Sequence, residues 1–212
     1  MTWLTNVMRD GMNIFFLWTG SYGMAIIILT VVIRVILFPF TITQMRTMRK
    51  MQELQPELKK LQEKYKKDPQ RLNKETMELW RRERANPLSG CLPMLLQLPF
   101  LFALFRVLQQ FNYAAQPGFL WLTDLSLADT TYILPVLAAV TTWWQSKIMT
   151  PSTGQGDSTQ RVMGVAMPLM IGWMALRFAS GLSLYWVVSN LLGILQQYLT
   201  VRPARRVQGE AE

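Results

Sequence analysis

An all-α integral membrane protein is the fold class this sequence predicts, with five transmembrane helices, a charged cytoplasmic helical hairpin and an N-terminal amphipathic surface helix. Three observations carry that expectation. Half of the 212 residues are hydrophobic, with 8 Trp, 10 Phe and 14 Met, which suits a small polytopic membrane protein better than a soluble domain. Apolar runs of helical length recur from residue 24 to residue 201. Charge is gathered instead in residues 46–86, which hold 13 Lys or Arg and 7 Asp or Glu.

Residues 1–18 place apolar side chains at 3, 4, 7, 8, 12, 15 and 16, a helical stripe that Arg9 and Asp10 interrupt. The segment reads as an amphipathic helix lying at the membrane surface. A signal peptide fits less well, because no basic region precedes an apolar run and no small-residue cleavage site follows. A TGSY turn (residues 19–22) leads into the first span, assigned to residues 22–45, with Pro39 bending its exit.

The apolar heart of that span is residues 24–40, and Arg34 is its only charge. Arginine at mid-helix costs roughly 2.5–3.5 kcal/mol in a bilayer, and it stays protonated because its pKa exceeds about 12. Arg34 stands seven residues before Thr41, about 10 Å along a helix. That is deep for snorkelling to the surface, the alternative to a polar cavity.

In residues 46–86, Met48, Met51, Leu54, Leu58, Leu61 and Tyr65 form a coiled-coil-like seam. Lys67-Asp68-Pro69 stops one helix and starts another, on which Leu72, Thr76, Leu79 and Trp80 make a shorter seam. The result is an αα-hairpin, long for a mere connector between spans, which is the other reading. Residues 87–201 hold the remaining spans, at 88–108 (kinked by Pro93 and Pro99), 132–146, 162–176 and 182–201, with a polar-aromatic loop at 111–131 carrying Trp121 and Asp124. The third and fourth have about 15 residues, some 22 Å against a hydrocarbon core of about 30 Å. They thin the bilayer locally, or are re-entrant, or are extended by Thr and Ser.

Five spans put 18 Lys or Arg on the side of the hairpin, the 147–161 loop and the 202–212 tail, and three (Arg9, Arg106 and Arg177) on the other. The hairpin and C-terminus therefore belong in the cytoplasm and the N-terminus outside, so the net charge of +9 is largely a topology signal. It calls for no DNA, although a basic hairpin also suits anionic lipid or ribosomal RNA. The absence of histidine excludes His-based catalysis and His-ligated zinc, and the single cysteine, Cys91, excludes an intrachain disulfide. No GxxxxGK[ST] phosphate loop is present. No catalytic residue, metal or cofactor is expected.

Thr30 lies one helical turn before Arg34, on its face. Gln97, Gln145, and Ser183, Ser189, Asn190, Gln196 and Gln197 punctuate the second, third and fifth spans. No acidic residue lies in any span, so an Arg34 inside the protein needs water or a negative charge from elsewhere. Taken singly, each Gln or Ser also fits an interhelical hydrogen bond that only packs the bundle.

Four segments carry a resemblance: RVILFPFT (34–41), MQELQP (51–56), NPLSGCLPMLLQLP (86–99) and GLSLYWVVSNL (181–191). In this order, around a charged hairpin and five spans, the chain from about residue 20 to 201 resembles the YidC membrane protein insertases of the Oxa superfamily. The resemblance implies a five-helix core around a hydrophilic groove, open to cytoplasm and lipid and closed toward the outside. Arg34, Thr30 and Gln145 match groove residues, and Trp186 matches the aromatic position that contacts a passing substrate helix. The hairpin matches a region implicated in substrate capture and in contact with targeting or translocation partners. Longer members add a large folded domain and an extra N-terminal span, and many short ones a lipoprotein-type signal peptide; neither is read here. The tail ends in Glu210 and Glu212, unlike a strong ribosome-binding tail.

The expected function is insertion and chaperoning of small or single-span membrane proteins at the bacterial plasma membrane, without nucleotide hydrolysis. Arg34, Thr30, Gln97, Gln145 and Trp186 are the expected groove residues. Nascent clients and the bilayer are the expected partners, with the ribosome and the general secretory channel as further candidates, and the protein acts as a monomer. The alternative is a small solute or anion transporter using Arg34 as its binding charge, though no internal repeat is found. A membrane enzyme lacks an acid or base within the spans.

Overall fold

Prolines divide the first apolar stretch and the charged stretch into separate helices. In a computed structural model, which describes residues 2–83, 92–110, 118–149 and 162–200, α1 is Thr2–Thr19, α2 is Tyr22–Ile36 and α3 is Phe38–Glu53. Pro39 has no N–H for the Val35 carbonyl, and its ring crowds that turn. The helix therefore breaks at Leu37, and α2 meets Phe38–Thr47 at 61°. Beyond the break α3 continues through Arg46, Arg49 and Lys50. The expected boundary between residues 45 and 46 thus falls inside one helix, because nothing there interrupts the backbone ladder.

Pro56 opens α4 (Gln55–Lys64), and Pro69 opens α5 (Pro69–Arg82). The Asp68 carboxylate caps α5 by accepting from the Arg71 N–H at 3.0 Å. These helices share a small core of Leu54, Leu58 and Leu79, with Leu61 and Trp80 against it. The expected seam is therefore split by the break at Leu54. The side chains of Met48 and Met51 fall outside what is described.

The larger core is built from α6 (Leu92–Gln110), α7 (Ile133–Met149), a π turn at Val162–Ala166 leading into α8 (Met167–Ala175), and α9 (Ser180–Thr200). Pro93 falls in the first turn of α6 and Pro99 inside it. Residues 88–91 of the expected second span, residues 84–86, the 150–161 stretch and the 202–212 tail lie outside the described residues. Helix α9 packs on α2, α6 and α7; α7 pairs with α8; α1 lies on α2 and α6. Met8, Met12, Ile26, Leu104, Leu108 and Leu134 form the centre. The stripe expected on α1 divides: Met8 and Met12 turn inward with Leu4 and Phe15 packed against the core, while Trp3 and Val7 face out.

Among the described residues no single helix is long and apolar enough to cross a membrane. Helix α2 and Phe38–Thr47 pass that test together, and Gln97–Leu108 and Gly164–Ala175 are shorter apolar stretches. Val35, Ile36, Leu169, Trp173 and Leu199 are each more than half exposed, so α2, α8 and α9 turn apolar faces outward.

The end of the bundle farthest from α3 is covered by residues 118–132. The Ser180 and Gly181 N–H groups donate to the Leu127 and Leu125 carbonyls at 2.7 and 2.9 Å. The Ser180 hydroxyl donates to the Asp124 carbonyl at 3.0 Å. The Phe119 ring fills the space that Gly23 leaves open, where a Cβ would overlap it. Asp129, 5% exposed, accepts from the Thr131 N–H and hydroxyl (2.9 and 2.6 Å) and from the Leu134 N–H (2.8 Å) at the start of α7.

Candidate functional site

Arg34 occupies the last turn of α2, just before the Leu37 break, and reaches across to α9. Its Nη2 donates to both the carbonyl and the hydroxyl of Ser189, each at 2.7 Å. Among the described residues no carboxylate meets it; the ion pairs there, such as Arg82–Glu57 at 3.2 Å, lie on α3, α4 and α5. A guanidinium cannot shed its charge, so among the described residues this half-buried cation is met by dipoles, those of Ser189.

One turn after Ser189 stands Gly193. A Cβ there would come within 2.6 Å of Gln145 Nε2 and 3.6 Å of Arg34 Nη1 and Nη2, so the Gln145 amide and the guanidinium both lie close above this glycine. Gln196 Nε2 donates to the Arg34 carbonyl at 3.4 Å, next to the break, where the helix ladder is interrupted. Gln196 thus joins α9 to the end of α2, and Gln145 brings α7 against α9 beside it.

The other expected residues are placed differently. Thr30 is 1% exposed, and its hydroxyl donates to the Ile26 carbonyl at 2.6 Å, so it is closed on its own helix. Gln97 comes in from α6 and donates through Nε2 to the Tyr185 hydroxyl. Tyr185 in turn faces Ser189 and Arg34, which makes it the link between Gln97 and the cation. The half-buried Trp186 directs its indole Nε1 to the Thr142 hydroxyl at 3.0 Å. Asn190 satisfies its surroundings with its nitrogen toward Gln145 Oε1 (2.7 Å) and its oxygen toward the Thr142 hydroxyl (2.9 Å). Arg34, Gln145 and Trp186 therefore belong to one polar cluster between α2, α7 and α9, with Gln97 joined through Tyr185.

Tyr185, Gly193 and Thr142 join the cluster without being marked out by the sequence. The signal for Gly193 was its spacing from Ser189, a small-xxx-small pattern that lets helices approach closely. Tyr185 and Thr142 carry no such signal, since an aromatic and a threonine are ordinary in apolar helices. Among the described residues no group of His, Cys, Asp and Glu could hold a metal ion.

The family model of the 60Kd inner membrane proteins matches residues 14–207. This chain belongs to that family. Relatives in it include the membrane protein insertase YidC of Caldanaerobacter subterraneus subsp. tengcongensis, 43% identical over 194 residues, 92% of this chain and 92% of the relative. The YidC insertase of Clostridium perfringens is 42% identical over 200 residues, 91% of this chain and 84% of that one. The Geobacter sulfurreducens YidC is 44% identical over 196 residues, but these cover only 36% of its length. The crystal structure of an active YidC insertase with its first transmembrane domain resolved superposes with a TM-score of 0.75 at 27% identity, over 92% of this chain and 46% of that one. The bundle is thus a 60Kd inner membrane protein core, all-helical among the described residues.

Proposed function

We propose that this chain is a membrane protein insertase and chaperone, moving small or single-span clients from the cytoplasm into the bilayer through a positively charged groove, without nucleotide hydrolysis. The observation that carries the reading is Arg34, held by Ser189 and met by no carboxylate among the described residues. The names of the relatives, membrane protein insertase YidC, support it.

In this reading α2 with the start of α3, α6, α7, the π turn with α8, and α9 are the five spans. The hairpin and C-terminus lie in the cytoplasm of a bacterium, the N-terminus lies outside, and α1 rests at the outer interface. Residues 118–132 close the outer end, so a tail can enter the groove without an ion leak. Gln97, Gln145 and Trp186 line the path around Arg34, while Thr30 serves the wall through its backbone bond. The cation attracts acidic residues of a client's tail. The client's apolar helix leaves along α2 and α9, past Val35, Ile36, Leu195 and Leu199, which face outward. Its own burial in lipid drives that step. Short α7 and α8 thin the bilayer and shorten the crossing. The protein acts as a monomer, with the ribosome and the secretory channel as partners in delivery.

The test is insertion of a single-span client with an acidic N-terminal tail into proteoliposomes, read by protease protection. Arg34→Ala should abolish insertion and Arg34→Lys should keep most of it. Wild-type rates in both variants would overturn the role of the cation. Solute flux through the same vesicles should be negligible; a leak without insertion would favour a transporter.

A further inference from the structure

We infer that Ser189 and Gly193 form a seat that positions Arg34 and thereby sets the preference for acidic client tails; the inference rests on Arg34 being the charge that clients meet. The two residues are one turn apart on α9, on the side that faces α2. In a helix the Ser189 carbonyl already accepts from the N–H of residue 193. A carbonyl has a second lone pair, and Arg34 Nη2 takes it at 2.7 Å. The hydroxyl of the same serine takes the other Nη2 hydrogen at 2.7 Å. One turn on, Gly193 leaves the room that the Gln145 amide takes up beside the guanidinium. Glycine in a helix interior is unfavourable relative to alanine, so its presence at 193 calls for a reason of this kind. With a Cβ there, Gln145 Nε2 would stand 2.6 Å away and must move, while the guanidinium nitrogens at 3.6 Å would keep an ordinary van der Waals contact, so the change reaches Arg34 through Gln145.

The seat is one-sided. Of the five N–H donors of a guanidinium, only those on Nη2 are engaged by described residues, which leaves Nη1 and Nε for an incoming carboxylate. Pinning one nitrogen fixes the orientation of the plane before a client arrives, so less freedom is lost on contact. Ser189 and Gly193 touch no client in this account. They act through Arg34 and Gln145.

The experiment uses the full chain in proteoliposomes with two single-span clients, alike except that tail aspartates in one are asparagines in the other. Ser189→Ala removes one of the two anchors and should slow the aspartate client roughly tenfold, the low end for one hydrogen bond to a charged group, with the asparagine client unchanged. Ser189→Thr, which keeps the hydroxyl, should restore the rate. Gly193→Ala should slow the aspartate client, and Gln145→Ser in the same chain should recover part of the loss by vacating the crowded space. Equal loss on both clients, or no rescue by either second change, would reduce the pair to packing residues and overturn the seat. Arg34→Ala separates the layers. If it slows the aspartate client while the seat variants do not, the seat is wrong and the reading of Arg34 stands. If it leaves that client untouched, both fall.

Discussion

A single carboxylate and a single cation take opposite routes to being stable away from water. Arg34 has no counter-ion among the described residues and leans on the Ser189 oxygens. Asp129 draws on N–H and hydroxyl donors from Thr131 and Leu134. Burial pushes the Asp129 carboxyl upward, but its hydrogen bonds from Thr131, Leu134 and Trp121 together outweigh that and hold it below the usual carboxylate range. The sign of the pH dependence follows. The unfolded carboxyl titrates near about 4, so the stability Asp129 contributes is complete above that value and is lost as pH falls through the lower folded value. Thermal unfolding in detergent should show an acid loss in the native chain. Asp129→Asn should cost about 1–3 kcal/mol at neutral pH and flatten the acid loss. An unchanged profile would mean that other carboxylates govern it.

At the scale of elements, the break at Leu37 decides where the charged half of the chain points. Pro39→Ala restores the missing donor to the Val35 carbonyl, and α2 and α3 should then run on as one straighter helix. Spin labels at the exposed positions 32 and 43, with Cys91 replaced by Ser, would read it. A straight helix separates those Cα atoms by about 16 Å, and the 61° bend holds them closer. The variant should lengthen the distance and lower client insertion while the fold persists; an unchanged distance would place the cause of the bend elsewhere. The hairpin itself holds together through Leu54, Leu58 and Leu79 rather than through its ion pairs. The exposed Arg82–Glu57 and Arg82–Glu83 contacts are each worth at most about 1 kcal/mol.

For the molecule as a whole, the asymmetry between its two ends matters most. One end is tied shut by residues 118–132 on the start of α9, with Phe119 lodged against Gly23. Arg34 and its cluster lie toward the other end, beside the break into α3. Gly23→Ala should push the Phe119 ring and its loop outward, at about 1–3 kcal/mol for overpacking. Ion leakage from vesicles should rise, and Phe119→Ala in the same chain should relieve the stability loss. A tight vesicle with Gly23→Ala would show that the closure does not depend on this contact.

Much of this was legible in the residues themselves. The helices follow from apolar runs and from Pro39, Pro56 and Pro69, because helix formation and proline's missing donor are local properties of the chain. Arg34 stood out for the same reason: a charge in an apolar run is visible without knowing its neighbours. At residue 45 composition changes while the backbone ladder does not, so a boundary read from composition falls within α3. What only the tertiary structure decided is where each polar side chain spends its hydrogen bonds. Thr30 shares a face with Arg34 in sequence, yet its hydroxyl closes on Ile26. Gln97 finds Tyr185, 88 positions away, and Arg34 finds Ser189, 155 positions away. Gly193 gains its meaning only when Arg34 and Gln145 approach from two other helices. Such pairings depend on how helices distant in sequence pack, and helical periodicity fixes only the face a residue occupies, never the partner it meets there.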